Sequence, residues 1–119
     1  MTIQYIYLLL EPEFIKTKES IFMIKKSTQP KFVKLKGSKD SVLLMQICCC
    51  NYVEFENQII ELFKKKYIQR KDIGIKYFEG DYKEMMGDIV MIHRRGDFYW
   101  KDDEKISTNK KQQLNSNTP

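Results

Sequence analysis

Apolar and polar positions fall in blocks along the chain. Ile3 to Leu10 (IQYIYLLL) is a near-continuous apolar run rich in β-branched and aromatic residues, which predicts a central strand. Glu11 to Ser20 is polar and carries Pro12, which predicts a connection, with Phe14-Ile15 folding back on the sheet. Ser20 to Lys26 (SIFMIKK) predicts a second strand. Ser27 to Lys39 is rich in Lys, contains Pro30 and Gly37, and has no clear period, as expected of a loop. Ser41 to Cys50 (SVLLMQICCC) predicts a third strand.

The second half changes period. From Tyr52 to Tyr67, Val53, Ile59, Ile60, Phe63 and Tyr67 recur at helical spacing behind Asn51, a residue type suited to an N-cap. Lys64, Lys65 and Lys66 sit in the last turn, where cations suit the helix dipole. Arg70 to Gly80 is rich in turn residues, with a short extended piece at Lys76-Tyr77-Phe78. Asp81 can cap a second helix running to about His93, and Gly96 can end it. The expected order is strand, strand, strand, helix, short strand, helix. This is an α/β class (α+β in the stricter sense), one domain over residues 1–100, with a polar and disordered tail at 101–119.

Composition bounds the rest. A chain of 119 residues supports one modest core, and its seven Phe, seven Tyr and one Trp supply much of the burial. The net charge of +5 favours polyanions such as nucleic acid, or an anionic membrane surface, although many basic small proteins bind no nucleic acid. Cys48, Cys49 and Cys50 are consecutive, which suits neither a disulfide framework nor the paired spacing of a zinc site. Buried thiols in a reducing compartment are expected. The apolar run Tyr5 to Leu10 lacks a basic preceding region and is too short for a membrane span or a signal peptide, so an intracellular location and no membrane contact are expected.

Several residues carry chemistry. Glu56 shares the helical stripe of Ile60, Phe63 and Tyr67. A carboxylate on an apolar stripe must be paired, hold a metal or lie at a cleft rim. The plainer alternative is a first-turn carboxylate favoured by the helix dipole. Lys64, Lys65, Lys66, Arg70 and Lys71 form the densest basic stretch, either a nucleic-acid contact around Tyr67 or a solvated face. Arg94 and Arg95 follow the single histidine, His93; the three could grip phosphate or form a solvated helix end. Phe98-Tyr99-Trp100 reads first as core packing and second as a stacking platform.

Tyr5-Ile6-Tyr7 and Met23-Ile24-Lys25 on the first two strands, followed by a helix bearing Glu56, resemble the motifs of the GIY-YIG nucleases, especially the compact branch common in large DNA viruses. The likeness continues in IYLLLEPEFIKTKESIF, LKGSKDSVLLMQI, ENQIIELFKKKYIQRKDIG and KYFEGDYKEMM, through residue 92. It implies a three-stranded, mostly antiparallel sheet flanked by helices, and phosphodiester cleavage with one divalent metal, Mg²⁺. On that likeness Tyr7 would activate water, Glu56 would hold the metal, and Lys25, Lys31 or Lys34 would neutralise phosphate. Tyr5 and Lys25 replace the motif glycines, Met23 replaces the second-motif tyrosine, and Lys76 stands where relatives tend to carry an acid. The segment Gln29 to Lys34 contains no arginine. The resemblance with these departures implies a nucleic-acid-binding domain, DNA ahead of RNA, with weak or lost cleavage. The alternative is an inactive viral module that binds a host protein. Either would work in the cytoplasm or nucleus of an infected cell.

Overall fold

The computed structural model describes residues 3–28 and 41–99. Lys31, Lys34, Trp100 and the 101–119 tail lie outside the described residues, as does most of the expected Ser27 to Lys39 loop.

The chain folds as an α+β domain. Its elements are β1 (Gln4–Leu10), α1 (Pro12–Thr17), β2 (Ile21–Ser27), β3 (Val42–Cys49), α2 (Tyr52–Lys66), β4 (Ile68–Gln69), β5 (Tyr77–Glu79) and α3 (Tyr82–Arg95). The strands make one antiparallel sheet in the order β3-β1-β2-β5-β4. Five strands stand where the resemblance implies three; the short strand expected at Lys76-Tyr77-Phe78 is β5, and β4 is the one not expected. β4 has only two residues, too few to show any alternation in sequence. It forms because the Tyr77 carbonyl accepts from Arg70 N at 2.8 Å and the chain doubles back.

Glu11 to Ser20 is a helix at its centre rather than a plain connection. Pro12 stands at the first helical position, where its missing N–H would have had no partner anyway. Phe14 is buried as expected, while Ile15 is exposed. Lys18 closes the helix in the left-handed region at φ 60°.

The ends of α2 and α3 show two ways of capping. Asp81 behaves as expected, accepting from Lys83 N at 2.9 Å. Asn51 does not: it sits at φ 50° and its side chain caps nothing. Gln4, from the start of β1, takes over, its Oε1 accepting from Tyr52 N at 2.9 Å. At the C-terminus of α3, Gly96 keeps an ordinary φ of −86° and Asp97 carries the left-handed turn at φ 58°. Glycine is required at 96 for space, since a Cβ there would strike the Phe98 ring. The Phe98 amide then donates to the His93 carbonyl at 3.0 Å.

Helices α2 and α3 cover one face of the sheet. Ile6, Leu8, Phe22, Ile24 and Phe78 from the strands meet Phe55, Ile59, Phe63, Met85 and Ile89 from the helices. Phe98 closes this core and stacks on Phe55 with ring centroids 4.9 Å apart. The cysteine triplet splits three ways instead of being buried as a set. Cys48 is exposed, Cys49 is buried, Cys50 is half-buried, and all three are free thiols. No helix among the described residues is long and apolar enough to cross a membrane.

Candidate functional site

Glu56 is the fifth residue of α2, just past its first turn, and retains only 3% of its surface in water. The dipole at a helix N-terminus helps a carboxylate but does not replace its lost hydration. Two lysines do so here. Glu56 Oε1 accepts from Lys26 Nζ at 3.1 Å, and Oε2 lies 3.0 Å from Lys76 Nζ. The second contact is an ion pair outside hydrogen-bond alignment. Lys26 also stands 6.0 Å from the centroid of the Tyr52 ring. Its hydrogen bond to Glu56 raises the Lys26 ammonium above its usual 10.5, against a smaller downward push from burial.

The two lysines reach the carboxylate because of strand register. Lys26 lies opposite Ile6, whose side chain belongs to the helix-covered face. Ile24 N donates to the Lys76 carbonyl at 3.1 Å, extending the β2–β5 pairing by one residue. That places Lys76 level with Ile24 on the same face.

Tyr7 is placed elsewhere. It lies opposite Lys25 and Gln46, one residue out of phase with Ile6 and Lys26. Successive side chains on a strand leave opposite faces, so Tyr7 and Glu56 are on opposite sides of the sheet. Tyr7 stacks with Tyr5 on its own face, centroids 6.3 Å apart. It is fully buried, and its hydroxyl meets no partner in hydrogen-bond geometry. Burial pushes the phenol's pKa up; the Ser27 hydroxyl pulls it back only in part. A buried phenol with a raised pKa is less ionised near neutral pH than free tyrosine, so less phenolate is present to take a proton. Lys25 joins Tyr7 on this face, and both are remote from Glu56.

Mg²⁺ takes several oxygen ligands, including carboxylates free to face it. Both Glu56 oxygens already face ammonium groups. Among the described residues no group of three or more His, Cys, Asp or Glu side chains is arranged to hold a metal ion. The donor set around Glu56 therefore does not fit Mg²⁺.

The basic residues divide into committed and uncommitted sets. Lys66 donates to both Asp88 oxygens, at 2.9 and 3.0 Å, and pairs with Glu84 at 2.9 Å. Arg70 grips Asp72 at 2.7 Å and Glu79 at 3.2 Å. Lys64 pairs with Glu61 at 3.4 Å. Lys65, Lys71, Arg94 and Arg95 are exposed and make no ion pair among the described residues. Asp88 went unremarked in the sequence because it lies between apolar neighbours on α3. It is buried, and Tyr67 Oη donates to it at 2.7 Å.

His93 is half-buried rather than a surface residue. Its Nε2 donates to the Cys48 carbonyl at 3.0 Å, fixing the proton on that nitrogen. The ring packs between Phe55, at 5.5 Å, and Tyr99, which meets it edge-on at 5.1 Å. Beside it the last turns of α3 form an open groove of about 560 Å³ lined by Gly87, Val90, Met91, Arg94, Arg95 and Tyr99. Among the described residues no acid lines it. A second groove lies across Arg95 and includes Glu54 and Glu61 together with Lys65.

Comparison with family models, curated proteins and solved structures finds no match to this chain.

Proposed function

We propose that the chain is a nucleic-acid-binding domain of GIY-YIG type that no longer cleaves, with DNA preferred over RNA. The disposition of charge carries this reading. The carboxylate that would hold a metal is closed by Lys26 and Lys76, whereas Arg94 and Arg95 make no ion pair among the described residues and stand beside an exposed tyrosine. A metal-free Glu56 cannot polarise a phosphoryl oxygen, and Tyr7 on the opposite face cannot deliver water to that carboxylate. What remains is recognition: arginine pairs with phosphate through its planar fork, and an aromatic face accepts a base.

The test combines two measurements on the whole chain. Labelled single-stranded and duplex DNA are titrated at low and at physiological salt, and supercoiled plasmid is incubated with Mg²⁺ or Mn²⁺. Binding that weakens steeply with salt, and no nicking, is expected. Replacing Arg94 and Arg95 by Ala should flatten the salt slope by about 1.4 to 1.8. Metal-dependent nicking abolished by Glu56→Gln would overturn the reading. Absence of binding at low salt would favour the host-protein module instead.

A further inference from the structure

Resting on the nucleic-acid reading, we infer that the groove on α3 seats one unpaired nucleotide, so that the chain selects single-stranded over duplex nucleic acid. The base would lie on Tyr99 and the apolar wall of Val90 and Met91, and the adjoining phosphate against Arg94 and Arg95.

Three features of the groove support this occupant. Its charge is complementary to one or two phosphates: among the described residues both arginines make no ion pair and no carboxylate lines the groove. Its floor is open because Gly87 carries no side chain, and nothing lies within 4 Å of where a Cβ would stand. Its walls are apolar and accessible, with Val90 40% and Tyr99 44% exposed. A duplex would offer phosphates to the arginines while keeping its bases stacked inside, leaving the apolar half of the groove unused. A splayed base uses both halves. The volume, about 560 Å³, falls within the range of about 300–1,000 Å³ typical of small-molecule seats.

Tyr99 is also held in place. Its ring stands edge-on to His93, and His93 is pinned by the Cys48 carbonyl and by Phe55. The ring is therefore braced against His93 while nearly half of its surface stays open to solvent. Glu54 and Glu61 line the neighbouring groove that shares Met91 and Arg95, which disfavours a phosphate there relative to the Arg94 side.

The experiment compares a labelled oligothymidine with a hairpin duplex of equal phosphate number, its loop closed by a non-nucleotide linker, at one salt concentration. The native chain is set beside Tyr99→Ala, Tyr99→Phe and Gly87→Leu. The single strand is expected to bind about 10-fold tighter than the hairpin. Tyr99→Ala should weaken the single strand by about 10-fold, from the loss of one base stack, and leave the hairpin within two-fold. Tyr99→Phe should hold single-strand affinity within two-fold, since stacking needs the ring and not the hydroxyl. Gly87→Leu should fill the floor and reduce single-strand binding without lowering the thermal midpoint. If both nucleic acids bind equally, or Tyr99→Ala weakens both alike, the single-strand inference fails while the nucleic-acid reading stands. If neither binds, that reading fails as well.

Discussion

Removing both ammonium groups around Glu56 is the sharpest test of how the core tolerates that carboxylate. Lys26→Met with Lys76→Met keeps the aliphatic stems and deletes the charges that face Oε1 and Oε2 at 3.1 and 3.0 Å. The Lys26 contact is a charged hydrogen bond, worth about 1.5–3 kcal/mol. The Lys76 contact is an ion pair without hydrogen-bond alignment, worth about 0–1 kcal/mol; the two lysines are equally exposed, at 31% and 32%, so the hydrogen bond alone separates them. The single substitutions should therefore be unequal, Lys26→Met costing more. The double variant should exceed their sum, because either lysine alone still neutralises the acid. An ionised carboxylate buried without a partner costs about 3–5 kcal/mol, a large share of the roughly 5–15 kcal/mol that holds a domain together. Adding Glu56→Leu removes the orphan charge and should return most of the loss. Urea denaturation followed by circular dichroism measures each step. The pH dependence has a definite sign. Lys26 is raised above 10.5 in the folded state, so its stabilisation is whole below 10.5 and is lost as pH climbs through the raised value. Native protein should lose this increment in alkaline solution, and the Lys26→Met variant should have none to lose. A double variant costing less than about 1 kcal/mol, or a triple variant no more stable than the double, would refute the account.

Three other outcomes follow from the structure. Asp88→Ala should destabilise by about 1.5–3 kcal/mol in urea denaturation through loss of the Tyr67 hydrogen bond at 2.7 Å, whereas Glu84→Ala, on the exposed side of the same cluster, should change stability little. Cysteine reactivity towards a thiol reagent should be ordered Cys48, then Cys50, with Cys49 silent until the chain unfolds; burial pushes the Cys49 thiol up to about 12, and mass spectrometry of partly labelled protein would show any inversion. Gly96→Ala should cost about 1–3 kcal/mol by displacing the Phe98 ring from Phe55, and an unchanged thermal midpoint would show that the turn yields more easily than its packing suggests.

Much of the architecture is local and was readable as such. The apolar runs from Ile3, Ser20 and Ser41 became β1, β2 and β3, and the helical periods became α2 and α3, because each element buries a face whose spacing is written in consecutive residues. The Asp81 cap is local too, its acceptor two residues from its donor. The proline at 12 misled because the same residue breaks a helix in its interior and begins one at its first position.

The candidate site was only half legible. Helical spacing put Glu56 on the buried stripe, so its need for a partner could be read from the chain alone. Its partners could not: Lys26 is 30 residues away, and it faces Glu56 only because β2 pairs with β1 in one register and not the next. The same register sent Tyr7 to the other face of the sheet. Asn51 lost its capping role to Gln4, 48 residues from the amide it caps, for an equally non-local reason. Local sequence determined which segments are strands and helices and which side chains must be buried. Only the folded sheet decided which charges meet, since a shift of one residue in pairing moves every side chain to the opposite face.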